Sequence, residues 1–336
     1  MQKSENYISE YIVTLTNDYC MFFAADQLLS DGIMGEEEQK VSNESHIYII
    51  CQRPAVRFDP VGFSYVDGFI SGRVVYSVNG LETKIEFREE FALLDGAVNL
   101  RLSGYPHREV QTFDALGNKV RHLPASFLAH KIAHMKSVAD LKNLKVLYIG
   151  QSFASGKSTA VQRLRSHSTF QKILADVMYN SPDSEIYLVT LRYPHYDLMI
   201  SMDGRDKAAI SDERDTTRMK RIVDNPLKKG QQVSLAEAAL IRYFQPEYNV
   251  KFKTQFPSKG VRVLDGCFDL DFAGLSVSVD TSNSPFLLFS ATVEPQQWHN
   301  CSINLVTSAD RRGFFKMADG TGGYTNVAPH VINMSG

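Results

Sequence analysis

The chain of 336 residues is poor in cysteine: Cys20, Cys51, Cys267 and Cys301 lie far apart, with no C-x-x-C pair among them. That spacing argues against a zinc knuckle, and a chain this long can bury cores without metal or disulfide staples. No apolar run is long enough to cross a bilayer, and the opening MQKSENYISEYIV lacks a basic region followed by an apolar one. The expected location is the cytoplasm, with no membrane partner. Internal repeats and low-complexity blocks are also absent. What remains, 43% hydrophobic and 22% charged residues, is ordinary for a globular protein.

Excess charge is missing too, since a formal net charge of -2 speaks against indiscriminate binding to nucleic acid. The average hides an asymmetry. Residues 141–172 carry six basic side chains (Lys142, Lys145, Lys157, Arg163, Arg165, Lys172) and no acid, and residues 218–260 carry nine basic against three acidic ones. Each segment is therefore six charges positive. A solvated face would account for the counts alone, and contact with phosphates is the sharper reading.

Residues 1–122 read as a β-rich domain, with runs such as HIYIICQ and TKIEFREEF between Gly, Asn and Asp turns. The Asn-Gly pair in YSVNGLETKIEF marks a hairpin, because both central positions of that turn favour positive φ. Nothing in this part reads as a reaction site. After Leu123-Pro124 the pattern turns helical in PASFLAHKIAHMKSVADL. There follow a strand KVLYIG, a helix from about Ser158 to Val177, a strand SEIYLVTLRY and a helix SLAEAALIRYFQ that Pro246 stops. From Val261 the chain returns to β-like runs, RVLDGCFDLDF among them. The expected division is 1–122, 123–260 and 261–336.

Two chemistries compete in KVLYIGQSFASGKSTAVQRLRSH, from Lys145 to His167. SGKST suggests a phosphate-binding loop, but G-x-x-x-x-G-K requires glycine five residues before Gly156, where Gln151 stands. SEIYLVTLRY also ends without an Asp to hold magnesium. Nucleotide binding is the remote alternative. The flanks offer more. Tyr148-Ile149-Gly150 lies on a strand, Arg163 and His167 are four apart and share a helix face, and EAALIRYFQPEYN runs from Glu237 to Asn249.

These residues resemble the GIY-YIG nuclease family over roughly residues 145–250. The resemblance implies an α+β fold, a small antiparallel sheet flanked by helices, here between β-rich N-terminal and C-terminal segments. It implies a metal-dependent endonuclease hydrolysing phosphodiester bonds in nucleic acid, with double-stranded DNA the expected partner ahead of RNA. Tyr148 would orient or deprotonate the attacking water, Arg163, His167 and Lys157 would act at the phosphate, and Glu237 would hold Mg2+ or Mn2+. Gly150 and Asn249 would be structural. Lys145, Arg165, Lys172, Arg242, Lys251 and Lys253 would contact nucleic acid, and the β-rich segments would select a target or a protein partner.

Each residue also has a plainer reading. Tyr148 could be a strand aromatic, Arg163 and Arg165 a solvated helix face, and Ser234-Leu235-Ala236-Glu237 a capping box that needs no metal. The GIY half-motif should supply a second tyrosine on the strand paired with KVLYIG, yet no tyrosine occurs from Pro106 to Leu147. Either the hairpin is interrupted by the helix PASFLAHKIAHMKSVADL, or His130 or His134 takes that role, or part of the machinery is lost; as an i, i+4 pair without a third ligand the two histidines read as a helix face. A non-catalytic nucleic-acid-binding or protein-interaction module on the same scaffold is the alternative that this gap allows.

Overall fold

The computed structural model describes residues 6–29, 43–152, 168–254, 256–257, 262–306, 316–318, 324–326 and 330–333. Strands β1 (Ser9–Thr16), β2 (Tyr19–Ala24) and β3 (Ile47–Pro54) come first. Then follow β4 (Arg57–Phe58), β5 (Ser64–Val66), the hairpin β6 (Phe69–Val78) and β7 (Leu81–Glu90), and a meander of β8 (Asn99–Leu102), β9 (Glu109–Phe113) and β10 (Lys119–Pro124). Helices α1 (Ala125–Lys136) and α2 (Ala139–Lys142) lead into β11 (Asn143–Gln151). Beyond it lie α3 (Ser168–Asn180), β12 (Ser184–Arg192), β13 (Asp197–Met202), α4 (Glu213–Asp224) and α5 (Lys229–Phe244). The last part holds α6 (Asp265–Asp269), β14 (Gly274–Asp280), β15 (Leu287–Phe289), β16 (Trp298–Asn304) and three short strands, β17 (Lys316–Ala318), β18 (Tyr324–Asn326) and β19 (His330–Asn333).

Two five-stranded sheets carry the architecture, in the orders β15-β11-β3-β12-β2 and β16-β14-β1-β13-β19. Helix α5 is buried almost all round, through Val233, Leu235, Ala236, Ala239, Leu240, Ile241 and Phe244, and one core joins it to residues of both sheets. A helix apolar on every side belongs in an interior. The other face of the first sheet, with Tyr48, Ile50, Leu147 and Leu188, packs against Phe170, Ile173 and Val177 of α3.

This corrects the expected fold class. The chain is sheet-rich, 40% strand against 26% helix, and is a mixed α/β arrangement in place of a small antiparallel sheet flanked by helices. The reason lies in strand pairing. The YIG strand β11 pairs antiparallel with β3 and parallel with β15, so both flanking segments contribute to its sheet. β1 likewise pairs with β13 and β14. The division at 122/123 and 260/261 therefore follows no sheet boundary. A different unit stands out: residues 55–142, between β3 and β11, have their own core of Phe58, Ile70, Val74, Phe87, Leu128, Ile132 and Leu141.

Arg53 fastens that inserted unit to the sheet. Its side chain is fully buried and donates to Glu185 Oε1 at 3.0 Å, to the Leu141 carbonyl at 3.1 Å and to the Ser126 carbonyl at 3.2 Å. It also lies 3.0 Å from His130 Nδ1. Arginine only donates, so Nδ1 is the acceptor and the ring is neutral. Burial, reinforced by the Arg53 charge, pushes the imidazole down to about 2.

Local signals fare unevenly. Asn79 and Gly80 turn the β6–β7 hairpin with φ of 51° and 77°, as the dipeptide requires. RVLDGCFDLDF, read as β-like, instead forms a 3-10 turn and α6, with Leu264 and Cys267 both pointed into the core three residues apart. Among the described residues no helix is long and apolar enough to cross a membrane.

Candidate active site

A tyrosine, Tyr48, stands on the strand paired with Tyr148-Ile149-Gly150. In the β3–β11 ladder Ile149 pairs with Ile49 and Gly150 with Tyr48, so Ile47-Tyr48 runs antiparallel to Tyr148-Ile149-Gly150. A strand places successive side chains on opposite faces, and Tyr48, Tyr148 and Gly150 share the face that packs on α3. The two rings lie 6.2 Å apart at 32°. A Cβ on Gly150 would come within 2.5 Å of Cζ and OH of Tyr48 and 2.9 Å of Cε1 of Tyr148. Glycine is needed here for space, not for backbone conformation. Residues 55–142 separate the two paired strands along the chain, so Tyr48 lies within the stretch 1–122 that reads as holding no reaction site.

Glu237 reaches the end of the same strand. Gln151, the residue after Gly150, donates from Nε2 to Glu237 Oε2 at 2.8 Å, and its Oε1 accepts from Ser234 Oγ at 3.2 Å. The expected capping box is therefore absent. Helix α5 begins five residues earlier, at Lys229, so Ser234 and Glu237 lie in its interior. At the true start, Gln231 Oε1 accepts from the Lys228 amide at 2.9 Å. Alternation places the tyrosine pair and the Gln151–Glu237 bond on opposite faces of β11, one residue apart at its C-terminal end.

Asn249 lies along the edge of β11 beyond the residues that pair with β15. Its Oδ1 accepts from the Ile149 amide at 2.9 Å and its Nδ2 donates to the Ile149 carbonyl at 2.8 Å, while the Tyr248 amide donates to the Leu147 carbonyl at 3.0 Å. Gln245 ends α5 in the left-handed region, φ 51°, and Pro246 follows, which turns the chain back along β11. Tyr248 is pushed up to about 12, first by burial and then by its hydrogen bond to Asp176.

The remaining expected residues fall into two groups. Lys157, Arg163, Arg165 and His167 lie outside the described residues. Of the others, Lys145 faces Glu247 at 3.8 Å, beside the Tyr248-Asn249 turn, and Arg242 donates to the carbonyl of Lys253, four residues past it, at 2.6 Å. Lys251 is exposed two residues beyond Asn249, and Lys172 is exposed on α3. His130 is turned inward to Arg53, which corrects its reading as a helix face, and His134 is exposed.

Sequence reasoning also missed Gln151, Ser234 and His46. The His46 carbonyl accepts from the Ser152 amide at 2.9 Å, continuing the β3–β11 ladder by one step. Burial and then the Lys229 charge depress its imidazole. The available signal was Ile47-Tyr48 inside HIYIICQ, a short apolar run suited to pairing with KVLYIG. Comparison with protein-family models, curated proteins and solved structures finds no match, so the functional reading rests on these residues.

Proposed function

We propose that the chain is a metal-dependent endonuclease of the GIY-YIG kind, cleaving phosphodiester bonds in DNA in preference to RNA. The observation that supports this is Tyr48 across the ladder from Gly150, a tyrosine on the strand where the GIY half-motif calls for one.

Phosphodiester hydrolysis needs an oriented water, an acceptor for its proton, cations against the developing charge and a proton for the leaving oxygen. Tyr148 orients the water from its own face of β11, with the Tyr48 ring beside it, while Glu237 acts from the opposite face, reached at the C-terminal end of the strand through Gln151. A phenol ionises near about 10 when unperturbed, so proton acceptance calls for a neighbouring cation. Arg163, four residues before His167, offers a charged two-pronged donor to phosphoryl oxygens, and Lys157 neutralises the same region. Lys145 lies beside the Tyr248-Asn249 turn, and Lys251 and Lys253, with Arg242 bonded to the latter's carbonyl, follow it, where they suit a nucleic-acid backbone.

Glu237 is the residue that would hold the metal. A single half-buried carboxylate, steadied by an amide, fits magnesium or manganese, which take one or two carboxylates plus phosphate oxygens and water, better than zinc. When bound, such an ion stabilises negative charge on the phosphate.

Purified protein with Mg2+ and supercoiled plasmid tests this directly. Nicking is expected, reduced about 100-fold in Tyr148→Phe and Glu237→Ala. Intact DNA and RNA across a broad panel, or a Glu237→Ala protein that cleaves like wild type, would sink the reading. Salt-sensitive binding without turnover would favour the inactive scaffold.

A further inference from the structure

Gln151 is one residue from the tyrosine face, yet its side chain is committed to α5. Ser234 and Glu237 are three apart on that helix and so lie on one face, and the Gln151 amide bonds both. Its orientation is dictated by chemistry. A carboxylate only accepts, so Nε2 must face Glu237, and the hydroxyl of Ser234 must then donate to Oε1. With the amide reversed, oxygen would oppose oxygen. Ser234 thus locks the amide, the amide locks Glu237, and the carboxylate is fixed relative to β11, the strand that carries Tyr148.

We infer that Gln151 is the positioning residue for Glu237, holding its carboxylate for a divalent cation from outside the coordination sphere, with Ser234 as the lock on its orientation. The inference rests on the nuclease reading for the use of the cation but concerns a different residue pair. Unbonded, a Glu side chain on a helix samples several rotamers, and each ordering step must then accompany ion binding. Partners of this kind typically change metal affinity or activity about 10- to 100-fold.

Gln151→Met keeps length and bulk while removing both bonds. Two readouts follow: Mn2+ binding to the free protein by electron paramagnetic resonance, and the Mg2+ concentration giving half-maximal plasmid cleavage. The Mn2+ dissociation constant and the half-maximal Mg2+ concentration should both rise about 10-fold in Gln151→Met. Ser234→Ala should give part of that rise alone and none in the Gln151→Met background, because the two act in series. Thermal melting of each variant checks that it is folded, and Ser234→Ala carries the test should Gln151→Met fail to fold. A wild type that cleaves, with variants whose Mn2+ and Mg2+ curves match it, overturns the positioning role alone. A wild type that neither binds Mn2+ nor cleaves overturns both this inference and the nuclease reading.

Discussion

Gly150 lies directly across the ladder from Tyr48, and a methyl group on it would stand 2.5 Å from the Tyr48 ring and hydroxyl. Tyr48 is 1% exposed and packed against α3, so its ring cannot swing into solvent. Gly150→Ala should therefore destabilise the protein by about 1–3 kcal/mol, as overpacking of a filled core does. Urea denaturation of Gly150→Ala, Tyr48→Leu and the double variant checks it. The alanine penalty should shrink in the Tyr48→Leu background, since contacting residues couple. Equal penalties in both backgrounds would remove the steric explanation.

Asn249 satisfies both backbone groups of Ile149 on the edge of β11 that lies beyond its pairing with β15. Asn249→Ala leaves a buried donor and a buried acceptor without partners, and each costs about 1–3 kcal/mol. Asn249→Asp separates the two: it keeps an acceptor for the Ile149 amide but sets a carboxylate oxygen against the Ile149 carbonyl. Asn249→Asp should be no more stable than Asn249→Ala near neutral pH, read from denaturation midpoints. A wild-type midpoint in either variant would show that water replaces the side chain freely.

Why Tyr148 was legible and Tyr48 was not is a matter of distance along the chain. Period, turn residues and caps act within a few residues, and they identify the β6–β7 hairpin, α1 and the end of α5 at Pro246. The pairing of β3 with β11 joins residues about a hundred positions apart. Its local marks, alternating apolar residues around Ile47-Tyr48, are shared by many strands. The capping-box reading of Ser234 and Glu237 failed for a related cause. Ser-x-x-Glu fits a helix start, but KGQQV ahead of it continues the helix, and Val233 is buried there. Burial of Gln232 and Val233 and the Gln231–Lys228 cap, not the Ser-x-x-Glu motif, set the boundary.

Glu185 is the counterion of a guanidinium with no exposed side-chain surface. Glu185→Ala leaves Arg53 charged, buried and without its carboxylate, at a cost of about 3–5 kcal/mol. Because Arg53 also holds the Leu141 and Ser126 carbonyls, the damage should spread into the inserted unit. Hydrogen exchange should accelerate first in α1 and α2, before the β1–β13–β14 side responds. Glu185→Gln, which keeps an acceptor, should lose less. Exchange rising evenly over the whole chain would mean that the inserted unit is not fastened through this residue.

His130 makes the same junction sensitive to acid. Burial first, then the Arg53 charge, hold its imidazole at about 2 in the folded protein, against about 6.5 for a free side chain. Between those values the unfolded chain binds a proton that the folded chain refuses, so stability rises with pH up to about 6.5 and is lost below it. The loss amounts to about 1.4 kcal/mol per pH unit for a single group well below 6.5. His46 and His299 are depressed as well and contribute in the same sense. They remain in a His130→Gln variant, whose amide oxygen can still accept from Arg53, so the comparison isolates one proton. From pH 6 to pH 5 wild type should lose about 1 kcal/mol more than His130→Gln, and above pH 7 the gap should be constant. Parallel profiles over the whole range would place a proton on His130 in the folded state, and the Arg53 contact would then have to open to accommodate it.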